Sequence, residues 1–192
     1  MTALWISPLM FLLSASLALG QQRANKQESS LCWVDSLPAA IQHRLKQDYG
    51  SWRVQEAANL SPLAHGRWES EKPLGCPGIA VGYFESAQTL SYAFLLVPAA
   101  NADARYRFVL FSQQPGQSDS EAKVLGKMDE AGATNYFFRG TPIGKFFDQV
   151  SKERFNAHTK DVILLFDSAE KEYEVDVYYW SENHYRNNPV DY

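Results

Sequence analysis

The chain of 192 residues has little cysteine, proline or glycine and no excess of positive charge. It contains 2 cysteines, 9 prolines and 11 glycines. These counts exclude a small fold built on disulfides, a collagen-like repeat and a low-complexity chain. The formal net charge is −4, with 18 basic and 22 acidic residues. Because general nucleic-acid binders carry a basic excess, this balance argues against nucleic acid as a partner.

Long hydrophobic runs are also absent. After residue 20, no segment approaches the roughly 20 apolar residues that a membrane-spanning helix needs, so no membrane span is expected there. The hydrophobic fraction of 45% is that of an ordinary globular chain. The length suits one domain, which we expect to occupy residues 31–192.

Residues 1–20 contain no charged side chain. An interrupted apolar stretch crosses this segment, and the small residues Ala18 and Gly20 precede a cut before Gln21, as in a secretory signal peptide. The alternative is an uncleaved N-terminal anchor, but the stretch is too short and interrupted to span about 30 Å of hydrocarbon. The sequence therefore predicts a signal peptide over 1–20, a flexible lead over 21–30, and a bacterial protein that is periplasmic or secreted.

Export would place Cys32 and Cys76 in an oxidising compartment. An even pair of cysteines in an oxidising compartment predicts a single disulfide bond. The alternative is a pair of buried, unbonded thiols.

Apolar patterning predicts mostly strands. Runs rich in β-branched, aromatic or alternating apolar residues occupy 51–56, 79–84, 90–97, 106–111, 123–128 and 134–139. A continuous apolar run over 162–166 and an alternating run over 173–180 predict a C-terminal β-hairpin. A loop rich in proline, glycine and charge is expected over 60–78.

Two segments have helical spacing. Leu37, Ile41 and Leu45 recur every fourth residue and predict a first helix that ends at Gly50. Apolar residues spaced by three and four predict a second helix over 142–155. Short links between strands favour an antiparallel, meander-type sheet covered on one face by helices. The expected fold class is therefore α+β, with an N-terminal helix and a second helix before the hairpin.

The segment from Cys76 to Val97 carries a resemblance to a known family. It is similar to the segment of small exported bacterial FG-GAP-like proteins in which a strand, an Asp/Gly-rich calcium loop and a Tyr-Ala-Leu-Leu-Leu strand follow one another. The matching context consists of Leu37-Pro38, Tyr49-Gly50-Ser51-Trp52-Arg53 and Tyr178-Tyr179-Trp180. The members are mostly uncharacterised, so the resemblance implies fold and export more than function.

The calcium loop of that family is degenerate here, over Gly82–Tyr92. Calcium takes six to eight oxygen ligands. Tyr83, Ala87 and Ser91 stand where the family has Asp, and Gln88 replaces the bending glycine. Only Glu85 keeps a carboxylate. We therefore expect no metal at this loop and a plain turn in its place.

No catalytic motif is recognisable. The four histidines form no zinc-hydrolase pattern, and neither a Gly-x-Ser-x-Gly elbow nor a phosphate loop is present. The sequence therefore predicts a protein that is not an enzyme and that uses no cofactor.

Aromatic residues near the C-terminus are the candidate binding residues. If Val175, Val177 and Tyr179 face the core, alternation turns Tyr178 and Trp180 to the opposite face. Tyr and Trp are favoured anchors of protein interfaces, so Tyr178, Trp180 and Tyr185 form the candidate aromatic face. The alternative is that a helix covers it.

Two functional hypotheses follow. The first is an exported binding protein that engages another exported protein, for example as a periplasmic inhibitor or immunity-type protein. The second is a cell-envelope hydrolase that uses scattered acidic residues.

Overall fold

Antiparallel strands make up most of the described part of the chain. The computed structural model describes residue 32 and residues 34–71, 75–113, 122–142, 159–169 and 174–191. The strands in chain order are β1 (Trp52–Val54), β2 (Ile79–Ser86), β3 (Thr89–Pro98), β4 (Tyr106–Gln113), β5 (Ala122–Met128), β6 (Tyr136–Pro142), β7 (Asp161–Asp167), β8 (Glu174–Ser181) and β9 (His184–Asp191). The helices are α1 (Ala39–Asp48) and α2 (Pro62–Ser70).

The strands form two sheets rather than the single sheet expected. In the first sheet, β4 and β5 follow β3 on one side, and β1 and β2 both pair with its other edge. The second sheet has the order β6-β7-β8-β9. All these pairings are antiparallel, so the fold is α+β with antiparallel sheets.

The physical reason for two sheets is that the central strands are apolar on both faces. Residues 91–97 of β3 and 162–166 of β7 are buried without a break. A strand covered on one face only would alternate between buried and exposed residues. The inner faces of the sheets pack on each other through a central layer, which includes Phe84, Phe108, Phe138, Ile163 and Tyr178.

Among the residues that the structure describes, one helix lies on the outer face of each sheet. Ile41 and Leu45 of α1 pack on the first sheet against Phe94, Val109 and Phe111. The sulfur atoms of Cys32 and Cys76 lie at disulfide distance, as expected. They join the segment before α1 to the residues that lead into β2.

The second helix of the structure lies where a loop was expected, within residues 60–78. The Oγ of Ser61 accepts a hydrogen bond from the Ala64 amide, and Pro62 occupies the first turn. These two residues favour the start of a helix. The apolar residues of the segment form only a weak stripe, however, so their spacing does not predict a helix. Ala64 and Trp68 pack on the outer face of the second sheet. The helix expected over 142–155 lies outside the described residues, except that Pro142 ends β6.

The C-terminal strand was also missed. His184 begins β9, which pairs with β8 along its length. The two strands expected to pair, β7 and β8, do lie side by side in antiparallel order, and β9 extends them by a third strand. Its charged, amide and proline residues have low strand propensity. Pairing with β8, and not the intrinsic preference of its own residues, makes this segment a strand.

Close backbone packing at Gly78 leads to a prediction. A Cβ atom added there would lie 2.5 Å from the Gln55 carbonyl oxygen. We expect Gly78→Ala to lower the free energy of unfolding by about 1–3 kcal/mol, because backbone cannot move aside as a flexible side chain can. Urea denaturation measures the change.

Gly66 of α2 provides the matched control. Nothing lies within 4 Å of a Cβ added at this position. Gly66→Ala should therefore stabilise the protein by about 0.5–1 kcal/mol through helix propensity. Equal effects of the two substitutions would contradict the packing argument.

Candidate functional site

An open groove lies at the rim of the sandwich, between β5 of the first sheet and the turn that joins β8 to β9. Its volume is about 350 Å³. We call it the rim groove, and its lining includes Lys123, Val124, Trp180, Asn183, His184 and Tyr185. The side chains of Lys123 from the first sheet and Trp180 from the second meet in this groove.

The turn beside the groove is tight and strained. Glu182 and Asn183 both have positive φ, 51° and 64°, as a two-residue hairpin turn requires. Asn tolerates this conformation, whereas Glu adopts it rarely. The Arg186 guanidinium forms an ion pair with Glu182 and also donates to His184 Nε2. Side-chain contacts therefore support the turn.

Two of the three predicted aromatic residues line the groove. Trp180 of β8 and Tyr185 of β9 are directly opposite each other in the strand register. Their ring centroids lie 4.9 Å apart in an edge-to-face arrangement. Both side chains are partly buried, so each ring is already held in place.

An ion pair completes the site from the first sheet. Lys123 Nζ lies 2.6 Å from Glu85 Oε1 and 4.7 Å from the centroid of the Trp180 ring. The Glu85 side chain is only 10% exposed. Burial raises the pKa of the Tyr185 hydroxyl, and the neighbouring Glu85 carboxylate raises it further. The groove therefore has an aromatic wall and, beside it, an ion pair whose carboxylate is largely buried.

The prediction for Tyr178 is wrong in one respect, because the side chain is not on the surface. It is 7% exposed and packs edge-on against Phe108. Strand alternation does turn it away from Val177 and Tyr179, but the first sheet covers that face. Gly126 of β5 lies close to its hydroxyl, since a Cβ there would be 3.3 Å from that oxygen. Tyr178 therefore belongs to the central layer between the sheets and not to the lining of the groove.

The segment Gly82–Tyr92 runs from β2 through a turn at Ala87 and Gln88 into β3. Ser86 Oγ accepts hydrogen bonds from the amides of Gln88 and Thr89. The one carboxylate of the segment, on Glu85, is engaged by Lys123. Among the residues that the structure describes, no group of three or more His, Cys, Asp or Glu side chains is arranged to hold a metal ion.

A second titratable cluster lies at the opposite end of the interior. The Tyr136 hydroxyl donates to Asp167 Oδ2 at 2.7 Å, and its ring lies 4.9 Å from that of Tyr106. Burial raises the pKa of Tyr106 to about 12. Burial also raises the pKa of Asp176, a hydrogen bond with Asn187 opposes this, and the charge of Asp167 adds to it.

This cluster predicts a pH-dependent stability. Because the pKa of Asp176 is raised in the folded protein, its ionisation opposes folding. The destabilisation is absent below the ordinary pKa of about 3.9, and it is complete once the pH exceeds the raised pKa. Asp176→Asn should therefore raise the melting temperature at about pH 7, with the gap closing towards about pH 3.

Thermal unfolding of both proteins across this range measures the gap. The carboxylates that both proteins contain affect both melting temperatures equally, so the gap between the two temperatures reports Asp176 alone. A variant less stable than the wild type at neutral pH would contradict the assignment.

Sequence reasoning missed Lys123 altogether. Glu85 and Lys123 are separated by 38 positions, and neither belongs to a motif that links them. Only the arrangement of β2 and β5 brings them together.

Neither helix in the described ranges has the length and apolar character needed to cross a bilayer. Comparison with protein-family models, with curated proteins and with solved structures finds no match to this chain.

Proposed function

We propose that the chain is an exported, non-catalytic binding protein that holds another protein at the rim groove. The observation that carries this proposal is the pairing of Trp180 and Tyr185 beside the Lys123–Glu85 ion pair. Trp and Tyr supply much of the binding energy in protein interfaces. Rings that are already held in place lose little conformational freedom on binding.

The groove alone is too small for a stable interface. Specific complexes bury about 1,200–2,000 Å² in total, so the contact must extend over the neighbouring surface. Val124 of β5 lines the groove and is 56% exposed. We propose that it belongs to the same contact.

The pairing of Cys32 with Cys76 supports the exported location, because disulfides persist in oxidising compartments. A periplasmic or secreted inhibitor or immunity-type protein is one form that such a binding protein takes. The segment Gly82–Tyr92 enters the proposal only through Glu85, whose carboxylate is engaged by Lys123 within the protein.

Photocrosslinking tests the proposal. A photoreactive residue in place of Val124 should capture one partner in the native cell envelope. The same residue in place of Leu63, which is 43% exposed on α2, should not. Trp180→Ala should reduce the capture from position 124 by tenfold or more, since hot-spot aromatic residues are worth about 2 kcal/mol or more.

Tyr83→Ala is the matched control, because Tyr83 is an exposed aromatic residue outside the lining of the rim groove. It should leave the capture unchanged. Equal capture from positions 124 and 63, or equal effects of the two aromatic substitutions, would contradict the proposal.

The cluster around Asp176 favours a second candidate, a cell-envelope hydrolase. A carboxyl group of raised pKa near a second carboxylate is an arrangement that general acid catalysis uses. On this hypothesis, the protein hydrolyses purified peptidoglycan, and Asp176→Asn abolishes the activity while the fold is retained. The binding hypothesis expects no hydrolysis by either protein.

A further inference from the structure

Two arginine side chains lie over the ring of Trp52, a residue of β1. The guanidinium carbons of Arg105 and Arg107 lie 5.1 and 5.2 Å from the centroid of the Trp52 ring. Lys127 is directly opposite Arg107 in the register of β4 and β5. We call Trp52, Arg105, Arg107 and Lys127 the arginine patch.

The patch has more positive charge than its own carboxylate neutralises. Asp129 Oδ1 lies 2.6 Å from Arg107, and Asp129 Oδ2 lies 3.8 Å from Lys127. The hydrogen bond from Arg107, together with the charges of Arg107, Lys127 and Arg105, lowers the pKa of Asp129. One carboxylate therefore faces three cations, in a protein whose net charge is −4.

A groove of about 550 Å³ adjoins the patch and has Trp52 in its wall. It lies between α1 and β1. Its apolar lining includes Val34, Leu45 and Val54, and its polar lining includes His43 and Lys46. Asp35 contributes an acidic group to the same groove.

We propose that this groove and the arginine patch together bind an acidic, amphipathic peptide segment of a partner protein. The apolar side chains of the peptide occupy the groove, and its carboxylates meet Arg105, Arg107 and Lys127. Arginine binds carboxylates in a bidentate manner, and complementary charge adds specificity and speed of association. The apolar lining favours a peptide over an inorganic anion or a polysaccharide, because neither of those has apolar side chains to place there.

This surface is separate from the rim groove. Lys123 belongs to the rim groove near the start of β5, and Lys127 belongs to the arginine patch near its end. A failure of one proposal therefore leaves the other intact.

Fluorescence anisotropy with the full chain provides the test. The probe is a labelled synthetic peptide of alternating Glu and Leu, compared with poly-Glu and with a peptide of alternating Lys and Leu. The Glu/Leu peptide should bind at least about tenfold more tightly than either comparison probe. Its affinity should fall as salt is added, because exposed charges are screened.

A pair of charge-matched variants locates the binding. The double variant Arg105→Gln/Lys127→Gln should weaken binding of the Glu/Leu peptide about tenfold. The control is Lys160→Gln/Arg186→Gln, which also removes two positive charges. Lys160 lies over the Tyr83 ring much as Arg105 lies over Trp52. The control should bind like the wild type, and both variants should keep the near-UV spectrum of the folded protein.

Three results would overturn the proposal. If the two double variants bind the peptide with equal affinity, the arginine patch takes no part in the binding. If poly-Glu and the Glu/Leu peptide bind equally well, the surface attracts anions in general and does not recognise an amphipathic peptide. Competition by a sulfated polysaccharide at the peptide's own affinity would show that a polysaccharide, and not a peptide, is the ligand.

Discussion

Replacement of Phe108 by Ala should lower the free energy of unfolding by about 3–5 kcal/mol. The ring is fully buried in the central layer between the sheets. It lies 4.5 Å from the ring of Phe138 and 4.7 Å from that of Tyr178, both in the second sheet. Removing it opens a cavity at the point where the sheets meet. A loss of this size is a large share of the roughly 5–15 kcal/mol that stabilises a typical domain.

Urea denaturation of the wild type and the Phe108→Ala variant measures this loss. Val124→Ala provides the control, because its side chain is 56% exposed and surface changes usually stay within about 0.5 kcal/mol. A loss below about 1 kcal/mol for Phe108→Ala would mean that the sheets do not pack through this ring.

Breaking the bond between Cys32 and Cys76 should cost about 4 kcal/mol on the chain-entropy model. The cysteines are 44 positions apart, so the bond closes a long loop and restricts the unfolded chain. The bond also ties the residues ahead of α1 to the first sheet, where Cys32, Cys76 and Ile41 belong to the same apolar cluster. Reduction should therefore shift the denaturation midpoint and also loosen the packing of α1.

The measurement compares the oxidised protein, the reduced protein and the double variant Cys32→Ala/Cys76→Ala in urea. The last two should have the same midpoint, well below that of the oxidised protein. Thiol titration of the unfolded, unreduced protein should find no free thiol. Two free thiols, or equal midpoints for the oxidised protein and the double variant, would contradict the prediction.

Strand positions were largely predictable, because the side-chain period of a strand is visible in a short segment. Val175, Val177 and Tyr179 alternate with polar or inward-facing residues and identify β8 without any partner. The same logic failed for β9, whose Arg186, Asn187, Asn188 and Pro189 show no such pattern. It also failed for α2, where Ser61 and Pro62 mark a helix start that the weak apolar stripe does not support.

The number of sheets was not predictable from local patterns. A strand buried on both faces, such as β3, is continuous in apolar residues whether a helix or a second sheet lies on either side. The choice depends on contacts between strands that are distant in sequence, such as those of Phe108 with Phe138 and Tyr178. No short segment contains that information.

Some features of the candidate site also follow from the sequence, and others depend on the tertiary structure. The sequence by itself determined that Tyr178 and Trp180 share one face of β8, because strand geometry alternates side chains. Only the tertiary structure decided that the first sheet buries Tyr178 and leaves Trp180 at the rim. Only the tertiary structure placed Glu85 and Lys123 together, because they are 38 positions apart in sequence. The pairing of the strands in the first sheet brings them into contact. Local geometry follows from neighbouring residues, whereas burial and ion pairing depend on which distant strands come to lie beside each other.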